Sequence, residues 1–444
     1  STPPARNLPP TMGEYLHWLV QPVDSFYVFS GLGATWRLMH TSSLIFWLIA
    51  LIFIRYQLPI LLLYVGYLFR PGSFEPAPLK IYAGREPLVS VLIAGRNPGY
   101  SIVTCIQSVL NGNYKNVEII FADDHSSDDS VALARTFEHT GRVRVCSNAN
   151  HSGKPANLNV ALMFATGEFL FVLDADSQIY PDTIENMLPY FEDQQVGGVS
   201  PSILVRNAGA SLLTRFQSIE YVLTYTLNQL WRDRLGMIMI LSGMGTMFRA
   251  AAVRGLGGYD MGLGDDTDMT IRLRKTRWKL RTALRGRIST DVPVNLPHLI
   301  RQRSRWVRNM VKMRLRKHLD LGTLRYGWLN AVCFYEQVLN RVFHPYLIIA
   351  LVIYVHLVLG ADRAVLIGGL YWFASILMLI KFLIGYDITR GEPSMRAIWL
   401  MPFYIFYRIP LLLVQVTQVT RELLRIKTWH PYVPRRIWDQ IPHH

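Results

Sequence analysis

Acidic residues and cysteines are both scarce in this sequence, and each scarcity excludes a class of protein. The 444 residues include 31 Asp and Glu against 46 Lys and Arg, so the net charge is +15. The three cysteines, Cys105, Cys146 and Cys333, lie far apart, which excludes a disulfide framework or a zinc-ligand pattern and predicts buried, reduced thiols. Internal repeats and low-complexity segments are also lacking, which excludes a solenoid. Residues 1–40 lack the basic start and apolar stretch of a cleavable signal peptide.

The positive charge is concentrated in one part of the chain. Residues 271–320 hold sixteen Lys and Arg but only two Asp and Glu. Such a patch suits a phosphate-bearing ligand, an anionic membrane surface or nucleic acid. Within it an apolar stripe recurs at helical spacing, which predicts a basic, amphipathic helix lying in a membrane interface. The stripe comprises Trp306, Val307, Met310, Val311 and Met313. Nucleic acid is the weakest of these partners, because Trp and Met suit lipid better and apolar segments flank the patch.

Long apolar segments lie on both sides of the basic patch. Half of all residues are hydrophobic and the mean hydropathy is +0.19, which is high for a soluble protein. Four segments are long enough to cross about 30 Å of hydrocarbon. They are Leu44–Phe69, Val342–Gly360, Val365–Tyr386 and Ala397–Val419. Two of them carry an arginine near the middle, Arg55 and Arg408, which is costly in lipid. Each arginine could line a transport path, or pair with Glu336 or with backbone, and the sequence favours neither interpretation.

Between the first and second apolar segments, short apolar runs alternate with helix-length stretches. The runs predict strands at residues 88–94, 117–122, 143–147 and 169–173. Strands that alternate with helices indicate right-handed βαβ units and a parallel sheet covered on both faces. A long helix is predicted further on, at residues 208–233.

Carboxylates follow two of the predicted strands, at the edge where open α/β sheets bind ligands. Asp123 and Asp124 follow the second strand, and Asp174 and Asp176 follow the fourth. Two carboxylates separated by one small residue suit a hard divalent cation that keeps part of its shell for substrate phosphates. The alternatives are a polar turn after the fourth strand and, for residues 123–129, a helix-capping cluster.

A third acidic group lies in a stretch bounded by glycines. Gly257-Gly258 and Gly262-Leu263-Gly264 flank a predicted loop that presents Asp265, Asp266 and Asp268. A solvated turn would have the same composition. These acidic groups are weak signals one at a time, and together they fit a single reaction site.

Five motifs follow one another within residues 87–320. They are Tyr-Lys-Asn-Val-Glu-Ile-Ile-Phe-Ala-Asp-Asp-His-Ser-Ser-Asp-Asp from Tyr114, Gly-Lys-Pro-Ala-Asn-Leu-Asn from Gly153, Asp-Ala-Asp from Asp174, Gly-Asp-Asp-Thr-Asp from Gly264 and Gln-Arg-Ser-Arg-Trp from Gln302. This order resembles the membrane-embedded family 2 glycosyltransferases, which include cellulose, chitin and hyaluronan synthases. The resemblance implies an α/β GT-A-like glycosyltransferase domain joined to an α-helical transmembrane region.

The resemblance assigns one set of residues to a nucleotide-sugar donor and its metal ion. These are Asp123, Asp124, Lys154, Asn157, Asp174 and Asp176. In this assignment Asp123 and Asp124 contact the base and ribose, and Lys154 and Asn157 line the nucleotide pocket. Asp174 and Asp176 are implied to hold the nucleotide and its Mg²⁺ or Mn²⁺.

A second set is assigned to the acceptor and to catalysis. These residues are Ser242, Gly243, Asp265, Asp266, Gln302, Arg305 and Trp306. Asp266 is implied to be the general base, with Asp265 as its neighbour. Gln302 and Arg305 are implied to bind the diphosphate or the glycan end, and Trp306 to stack beneath the acceptor sugar. Ser242 and Gly243 fall where such enzymes shape the acceptor mouth.

Three positions depart from the family pattern. Residues 94–98, Ala-Gly-Arg-Asn-Pro, replace the usual Pro-x-Tyr-Asn-Glu and leave the first nucleotide contact unassigned. His125 stands where the family usually has glycine, and Asp265 replaces a more usual glutamate.

The resemblance also implies a function, a location and partners. The expected activity is processive, inverting polymerisation of a UDP-sugar into a β-linked, glucan-type polysaccharide, with translocation of the polymer across the membrane. The first alternative is a non-processive enzyme acting on a lipid acceptor, and the second is a nucleotide-sensing transporter or channel. The expected partners are the donor, the growing polysaccharide, the bilayer and accessory export subunits, without nucleic acid.

The expected domain order runs from membrane to cytoplasm and back. It comprises an interfacial segment (residues 1–40), a transmembrane helix (41–70), a cytoplasmic GT-A domain (80–300), interfacial helices (301–341), three transmembrane helices (342–419) and a basic, aromatic tail (420–444). The membrane is expected to be the bacterial inner membrane. Four crossings place the basic tail outside, against the preference of basic loops for the cytoplasm.

Overall fold

The computed structural model describes residue 50 and residues 53–55, 57–70, 86–260, 264–358 and 363–426. The expected interfacial segment, residues 1–40, and most of the expected tail, residues 420–444, lie outside the described residues. The same holds for Gly262 and Leu263 in the glycine-bounded stretch.

Eight strands form one mixed sheet. The strands are β1 (Val89–Gly95), β2 (Val117–Asp123), β3 (Val143–Ser147), β4 (Phe169–Asp174), β5 (Gln178–Ile179), β6 (Val196–Val205), β7 (Thr246–Arg249) and β8 (Lys279–Thr290). Their order across the sheet is β3-β2-β1-β4-β7-β6-β8-β5. The four predicted strands are confirmed, and β3, β2, β1 and β4 pair in parallel as the βαβ pattern predicts.

The other half of the sheet departs from the prediction of a purely parallel sheet. β7 runs antiparallel to β4 and β6, and β5 runs antiparallel to β8. The sequence interpretation missed β6 and β8, which pair with each other in parallel. Gly197, Gly198 and Pro201 disguise β6 as a turn-rich stretch, and basic residues disguise β8 as a solvated segment. In β8 the basic side chains alternate with buried ones, so a period of two was present in the sequence.

Helices cover both faces of the sheet and continue beyond it. They are α1 (Leu58–Phe69), α2 (Ser101–Leu110), α3 (Ser130–Arg135), α4 (Lys154–Phe164), α5 (Thr183–Met187), α6 (Leu212–Tyr221), α7 (Asn228–Arg234), α8 (Ala250–Gly255), α9 (Asp265–Lys275), α10 (Leu296–Lys312), α11 (Trp328–Val338), α12 (His344–Val358), α13 (Arg363–Ile388) and α14 (Tyr404–Leu423). Short π-helical segments, residues 222–227, 313–317 and 339–343, follow α6, α10 and α11. The helix predicted at 208–233 is therefore α6, a π segment and α7.

The two faces of β1 contribute to two different hydrophobic cores. Val91 packs with α2 residues such as Ile102 on one face, and Leu92 packs with α4 residues such as Leu158 on the other. All four of these side chains are fully buried. Burial on both faces explains why the strand is apolar, apart from Ser90, instead of alternating.

Two helices among the described residues are long and apolar enough to cross a membrane. They span Trp328–Tyr354 and Leu366–Ile388, judged by length and composition. A separate core joins α1, α6, α13 and α14 through residues such as Ile60, Phe216 and Phe382. The helical part of the chain thus packs directly against α6, the helix that follows β6.

The two mid-segment arginines have side-chain partners. Arg55 forms an ion pair with Glu336. Arg408 Nη1 donates to Glu220 Oε1 at 3.3 Å. Pairing with a carboxylate was one of the two interpretations left open for Arg55, and its ion pair agrees with it. For Arg408 the carboxylate is Glu220 instead of the expected Glu336.

Asp268 is buried and fastens α9 to the chain that follows α10. Its Oδ1 lies 2.9 Å from His318 Nε2 and 2.6 Å from Lys317 Nζ. Arg272 Nη1 lies 3.4 Å from Oδ2. Burial alone would raise the pKa of Asp268, but the hydrogen bonds from His318 and Lys317 outweigh it and lower the pKa to about 2. The expected loop presentation of Asp268 is therefore wrong, because its side chain is committed to internal partners.

Gly167 offers a test of how tightly the sheet is packed. A Cβ at Gly167 would lie 2.7 Å from the carbonyl oxygen of Leu88 and 2.8 Å from the amide nitrogen of Ser90. Because backbone cannot move aside, Gly167→Ala is expected to lower the free energy of unfolding by about 3 kcal/mol. Gly209→Ala is the matched control, since a Cβ there meets no atom within 4 Å. Chemical denaturation of the two variants measures the difference, and equal stabilities would contradict the described packing.

Asp268→Asn tests the buried ion-pair network. The substitution removes the buried counter-charge of Lys317, which keeps only its exposed partner Asp260, and weakens the buried contact with His318, so we expect a loss of about 3 kcal/mol of unfolding free energy at neutral pH. Asp193→Asn is the control, because Asp193 pairs with Lys279 at the exposed surface and such pairs contribute about 0–1 kcal/mol. In the parent protein the contribution of Asp268 should be present above pH 4 and fade as the pH falls towards about 2.

Candidate active site

The predicted acidic edge of the sheet is formed by adjacent parallel strands. Asp123 at the end of β2 is in register with Gly95 of β1, and Asp174 at the end of β4 is in register with Ala94. The two carboxylates therefore flank the same end of β1. The amide of Asp124 donates to the Gly95 carbonyl at 2.9 Å, which continues this pairing by one residue.

Asp124 organises the turn that starts α4. Its carboxylate accepts hydrogen bonds from the amides of Ser152 at 2.7 Å and Gly153 at 3.0 Å. His151 Nδ1 lies 2.6 Å from its Oδ2. The carboxylate thus serves as a clamp on amides beside Lys154, the first residue of α4. Asp124 does not cap the helix that follows it in the chain, because its partners are the amides that precede α4.

Asp123 retains an oxygen with no internal partner. Its Oδ2 accepts from the Ser126 amide at 3.0 Å and from Ser147 Oγ at 3.2 Å. Its Oδ1 is buried and has no hydrogen-bond partner among the described residues. Two residues after Asp123, His125 has a φ of +59°, which is the backbone region that glycine occupies most readily. The histidine therefore adopts the conformation expected of the glycine that the family usually has there.

Lys154 connects the three parts of the site. Its Nζ donates to Asp174 Oδ1 and to the carbonyl oxygen of Gly243 at 3.3 Å, and it lies 3.8 Å from Asp265 Oδ2. Burial works against the charged form, but Asp174, Asp265 and Asp266 outweigh it and raise the pKa of Lys154. The ammonium group is therefore charged at neutral pH and lies between β4, the Gly243 turn and α9.

Asp265 and Asp266 are in the first turn of α9, whereas the sequence predicted a loop. Gly264, with a φ of +80°, immediately precedes them. Acidic residues are favourable in a first helical turn, because free amides and the helix dipole lie there. Asp266 Oδ1 accepts from the Thr267 amide at 2.6 Å. Burial, followed by repulsion from Asp265, raises the pKa of Asp266 to about 6.

Asp176 also has a perturbed carboxyl group. Burial, and then the negative charge of Asp174, raises the pKa of Asp176 to about 6. Mutual repulsion of this kind would be relieved by a cation between the two carboxylates. No group of three or more His, Cys, Asp or Glu side chains within the described residues is arranged around one ion. Two carboxylates supply only part of the shell of a divalent cation, so a metal ion held by Asp174 and Asp176 would need further oxygen ligands from elsewhere, and Lys154 already donates to Asp174 Oδ1.

The Gln-Arg-Ser-Arg-Trp motif lies on α10, whose end contacts α9. A Cβ added to Gly264 would lie 3.0 Å from Met313 Cγ and 3.5 Å from Asn309 Cβ. Trp306, one helical turn before Asn309, is half-buried against the core that includes β4. Gln302 Oε1 is buried without a hydrogen-bond partner among the described residues. The end of the predicted acceptor helix thus lies beside Gly264, the residue that precedes Asp265 and Asp266.

Two predicted site residues are turned inward. Asn157 is fully buried, donates to the Gly153 carbonyl at 2.8 Å and accepts from Asn148. Ser242 is buried, and its Oγ accepts from the Met244 amide at 3.2 Å. Both hold turns that carry other site residues. Ser242, Gly243, Asp265 and Asp266 line one small cavity.

The sequence did not predict several residues that bind and position the site side chains. His151 and Ser152 bind Asp124, His318 binds Asp268, and Glu220 binds Arg303. A glutamate within an otherwise mostly uncharged part of the helix predicted at 208–233 was the available signal for Glu220. No local pattern marks the histidines, because their partners are 27 and 50 residues distant in the chain.

Comparisons with known proteins agree with this geometry. The sequence profile of the family described as Glycosyl transferase family 2 matches residues 90–257. A β-monoglucosyldiacylglycerol synthase of Trichormus variabilis is 30% identical over 244 residues, which are 53% of this chain and 51% of that protein. A hyaluronan synthase of Streptococcus pyogenes serotype M1 is 25% identical over 267 residues, which are 56% of this chain and 61% of that protein.

A solved structure shares the fold over most of the chain. It is the mannosyltransferase PcManGT from Pyrobaculum calidifontis, with a TM-score of 0.58, 17% identity, and coverage of 85% of this chain and 98% of that one. The curated relatives are matched over only about half of their length. Residues 90–257 are a family 2 glycosyltransferase domain, and the chain carries this domain within a GT-A-like α/β fold.

Proposed function

We propose that the protein transfers a sugar from a nucleotide-sugar donor, with UDP as the expected nucleotide, to a hydroxyl group of a growing polysaccharide. The observation that carries the proposal is the position of Lys154. Its ammonium group lies between Asp174 on the donor side and Asp265 beside Asp266 on the acceptor side. Donor carboxylates and a candidate base thus meet within the length of one side chain.

The donor side suits a nucleoside diphosphate. Asp123 has a free carboxylate oxygen for a ribose or base donor, and Asp124 holds the amides of residues 152 and 153 nearby. A divalent cation, Mg²⁺ or Mn²⁺, held by Asp174 and Asp176 would neutralise negative charge on the leaving diphosphate. The mannosyltransferase of similar fold was solved with GDP-Man and Mn²⁺, which supports this donor and metal chemistry. Lys154 adds a fixed positive charge at the same point.

Asp266 has the properties of a general base. A hydroxyl that attacks a sugar must lose its proton, and a carboxylate with a raised pKa accepts that proton more readily than an ordinary aspartate. With a pKa of about 6, Asp266 is still mostly ionised at neutral pH. Attack from the face opposite the leaving diphosphate inverts the anomeric centre, in keeping with one base and no second nucleophile in the assignment.

The acceptor side is assigned to α10 and to the Gly243 turn. Trp306 offers an apolar indole face to a sugar ring, and Gln302 and Arg305 supply hydrogen bonds to the glycan end or the diphosphate. Ser242 holds the turn whose Gly243 carbonyl contacts Lys154. The similarity to hyaluronan synthase supports a polysaccharide product and processive synthesis.

A lipid acceptor is the second candidate function. The similarity to a β-monoglucosyldiacylglycerol synthase favours it specifically. In either case the two apolar helices, residues 328–354 and 366–388, fit a protein of the bacterial inner membrane with its catalytic domain in the cytoplasm. Translocation of the polymer and accessory export subunits belong to the polysaccharide proposal only. A nucleotide-sensing transporter is the remaining alternative, and it would release no nucleoside diphosphate.

Asp266→Asn tests the base assignment. The amide cannot accept the proton, so we expect sugar transfer to fall at least about a hundredfold while donor binding is retained. In the parent protein kcat/KM should fall at least about tenfold for each pH unit below about 6 and level off above pH 7, because Asp266 must be ionised and Asp176 loses its charge in the same range. Asp260→Asn is the control, since its exposed carboxylate pairs with Lys317. Normal turnover in Asp266→Asn would contradict the assignment.

Product size distinguishes the candidate functions. Purified protein in vesicles is incubated with Mg²⁺ or Mn²⁺ and a panel of radiolabelled UDP-sugars, and the products are separated by gel electrophoresis and lipid extraction. We expect release of UDP and a long polymer from one of the sugars, and chelation with EDTA should abolish both. A single sugar on lipid would support the lipid-acceptor function instead. Donor that stays intact with every sugar would contradict both transferase proposals.

A further inference from the structure

Glu220 lies where the sheet meets the apolar helices, and it binds groups from two other elements. Its carboxylate accepts from Arg303 Nη2 of α10 at 2.7 Å and from Arg408 Nη1 of α14 at 3.3 Å. The Tyr407 hydroxyl donates to the same carboxylate. Glu220 and Arg303 are each 8% exposed. One buried carboxylate on α6 therefore fixes the relative positions of α10 and α14.

Arg303 carries this constraint to the indole of Trp306. The centre of its guanidinium group lies 4.2 Å from the centroid of the Trp306 ring, which is stacking distance. The guanidinium is thus bound at one end by Glu220 and covers one face of the indole. Since Trp306 is half-buried, the ring remains in part accessible from elsewhere.

A sugar that stacks on an indole needs a ring of fixed tilt, because the contact depends on two flat faces meeting. Without Glu220 as its counter-ion, the Arg303 guanidinium would move out of its buried position towards water. The Trp306 indole would then lose the group that sets its orientation. Burial raises the pKa of Glu220, but Arg303 and Arg408 outweigh it and lower the pKa below its ordinary value. The Glu220 carboxylate is therefore ionised at neutral pH and can pair with the Arg303 guanidinium.

We propose that Glu220 is a positioning residue for the acceptor: through Arg303 it holds Trp306 in the orientation that receives the sugar ring. The inference rests on the proposed function for the identity of the ligand on Trp306. Through Tyr407 and Arg408 the same carboxylate makes the orientation of Trp306 depend on α14. A shift of α14 would therefore also move Arg303 and change the orientation of Trp306.

The chain contains a matched control for Glu220. Glu336 on α11 also binds two arginines, Arg55 and Arg232, and both of these guanidiniums lie over the ring of Trp231, at 5.2 and 4.7 Å. Counted over the side chain alone, Glu220 is 10% exposed and Glu336 is 11% exposed. Glu336 differs in the decisive respect, because its arginines contact Trp231 instead of Trp306.

The first experiment measures the orientation of Trp306 without any substrate. Trp306 fluorescence is isolated as the difference between the full-length protein and Trp306→Phe, in the parent, Glu220→Gln and Glu336→Gln backgrounds, and is quenched with acrylamide. We expect faster quenching of the Trp306 component in Glu220→Gln and no change in Glu336→Gln. Arg303→Lys, which keeps the charge and loses the planar stack, should behave like Glu220→Gln and serves if that variant does not fold.

The second experiment is a double-mutant cycle on activity, with the UDP-sugar that the panel identifies. Glu220→Gln should reduce sugar transfer about tenfold relative to hydrolysis of the donor by water, and should shorten the product. If Glu220 acts through Trp306, adding Glu220→Gln to Trp306→Phe lowers the rate of sugar transfer no further. The rate losses caused by Glu336→Gln and Trp306→Phe, by contrast, should multiply in the double variant.

The outcomes separate the positioning role from the function. Unchanged quenching in Glu220→Gln and Arg303→Lys, or multiplying effects of Glu220→Gln and Trp306→Phe, would overturn the positioning role while the transferase activity stands. If no UDP-sugar is turned over, the proposed function fails and the quenching experiment still decides whether Glu220 positions Trp306. Equal losses in Glu220→Gln and Glu336→Gln, with equal changes in quenching, would mean a general structural role and would also overturn the proposal.

Discussion

Repulsion between carboxylates is the constraint on which the site depends. Asp174, Asp265 and Asp266 come from β4 and α9, and the fold brings them around the single ammonium group of Lys154. Without the positive charge of Lys154 the three carboxylates would repel one another, and the raised pKa of Asp266 shows part of this repulsion. Lys154 is the first residue of α4, and Asp124 clamps the amides just before it. The carboxylate of Asp124, directly after β2, thus determines where the neutralising charge lies.

The sequence predicted the parts of the fold that local patterns encode. The apolar runs of β1 to β4 and the carboxylates after β2 and β4 are local features, and parallel pairing then brings Asp123 and Asp174 to one edge. β6 and β8 were missed because their stability comes from pairing across about eighty residues, which outweighs glycine, proline and basic side chains within the strands. Asp265 and Asp266 were assigned to a loop because glycines surround them, whereas acidic side chains suit a first helical turn equally well.

The site residues show the same division. Asp124 is positioned by partners within thirty residues, the amides of Ser152 and Gly153, whereas Lys154 also contacts Gly243 and Asp265 from distant parts of the chain. The partners of Asp268 and Arg408 could not be predicted from the sequence, whereas Glu336 was one of the partners it offered for Arg55. Their partners, such as Glu220 at 188 residues from Arg408, are brought close only by the packing of distant helices. A buried charge indicates that a partner exists, but it does not identify that partner.

The positions of these buried ion pairs bear on how an acceptor reaches the site. Glu220 and Glu336 each bind two arginines, so a positive charge remains at both places along the helices that pack against α6 and α7. An uncharged hydrocarbon chain gains nothing from such groups, whereas a chain of hydroxyl groups can hydrogen-bond to every guanidinium it passes. Because α10 carries Trp306 and shares Glu220 with α14, one of these two charged places lies beside Trp306. The charge beside Trp306 therefore suits the hydroxyl-rich acceptor of the proposed function better than it suits a hydrocarbon chain.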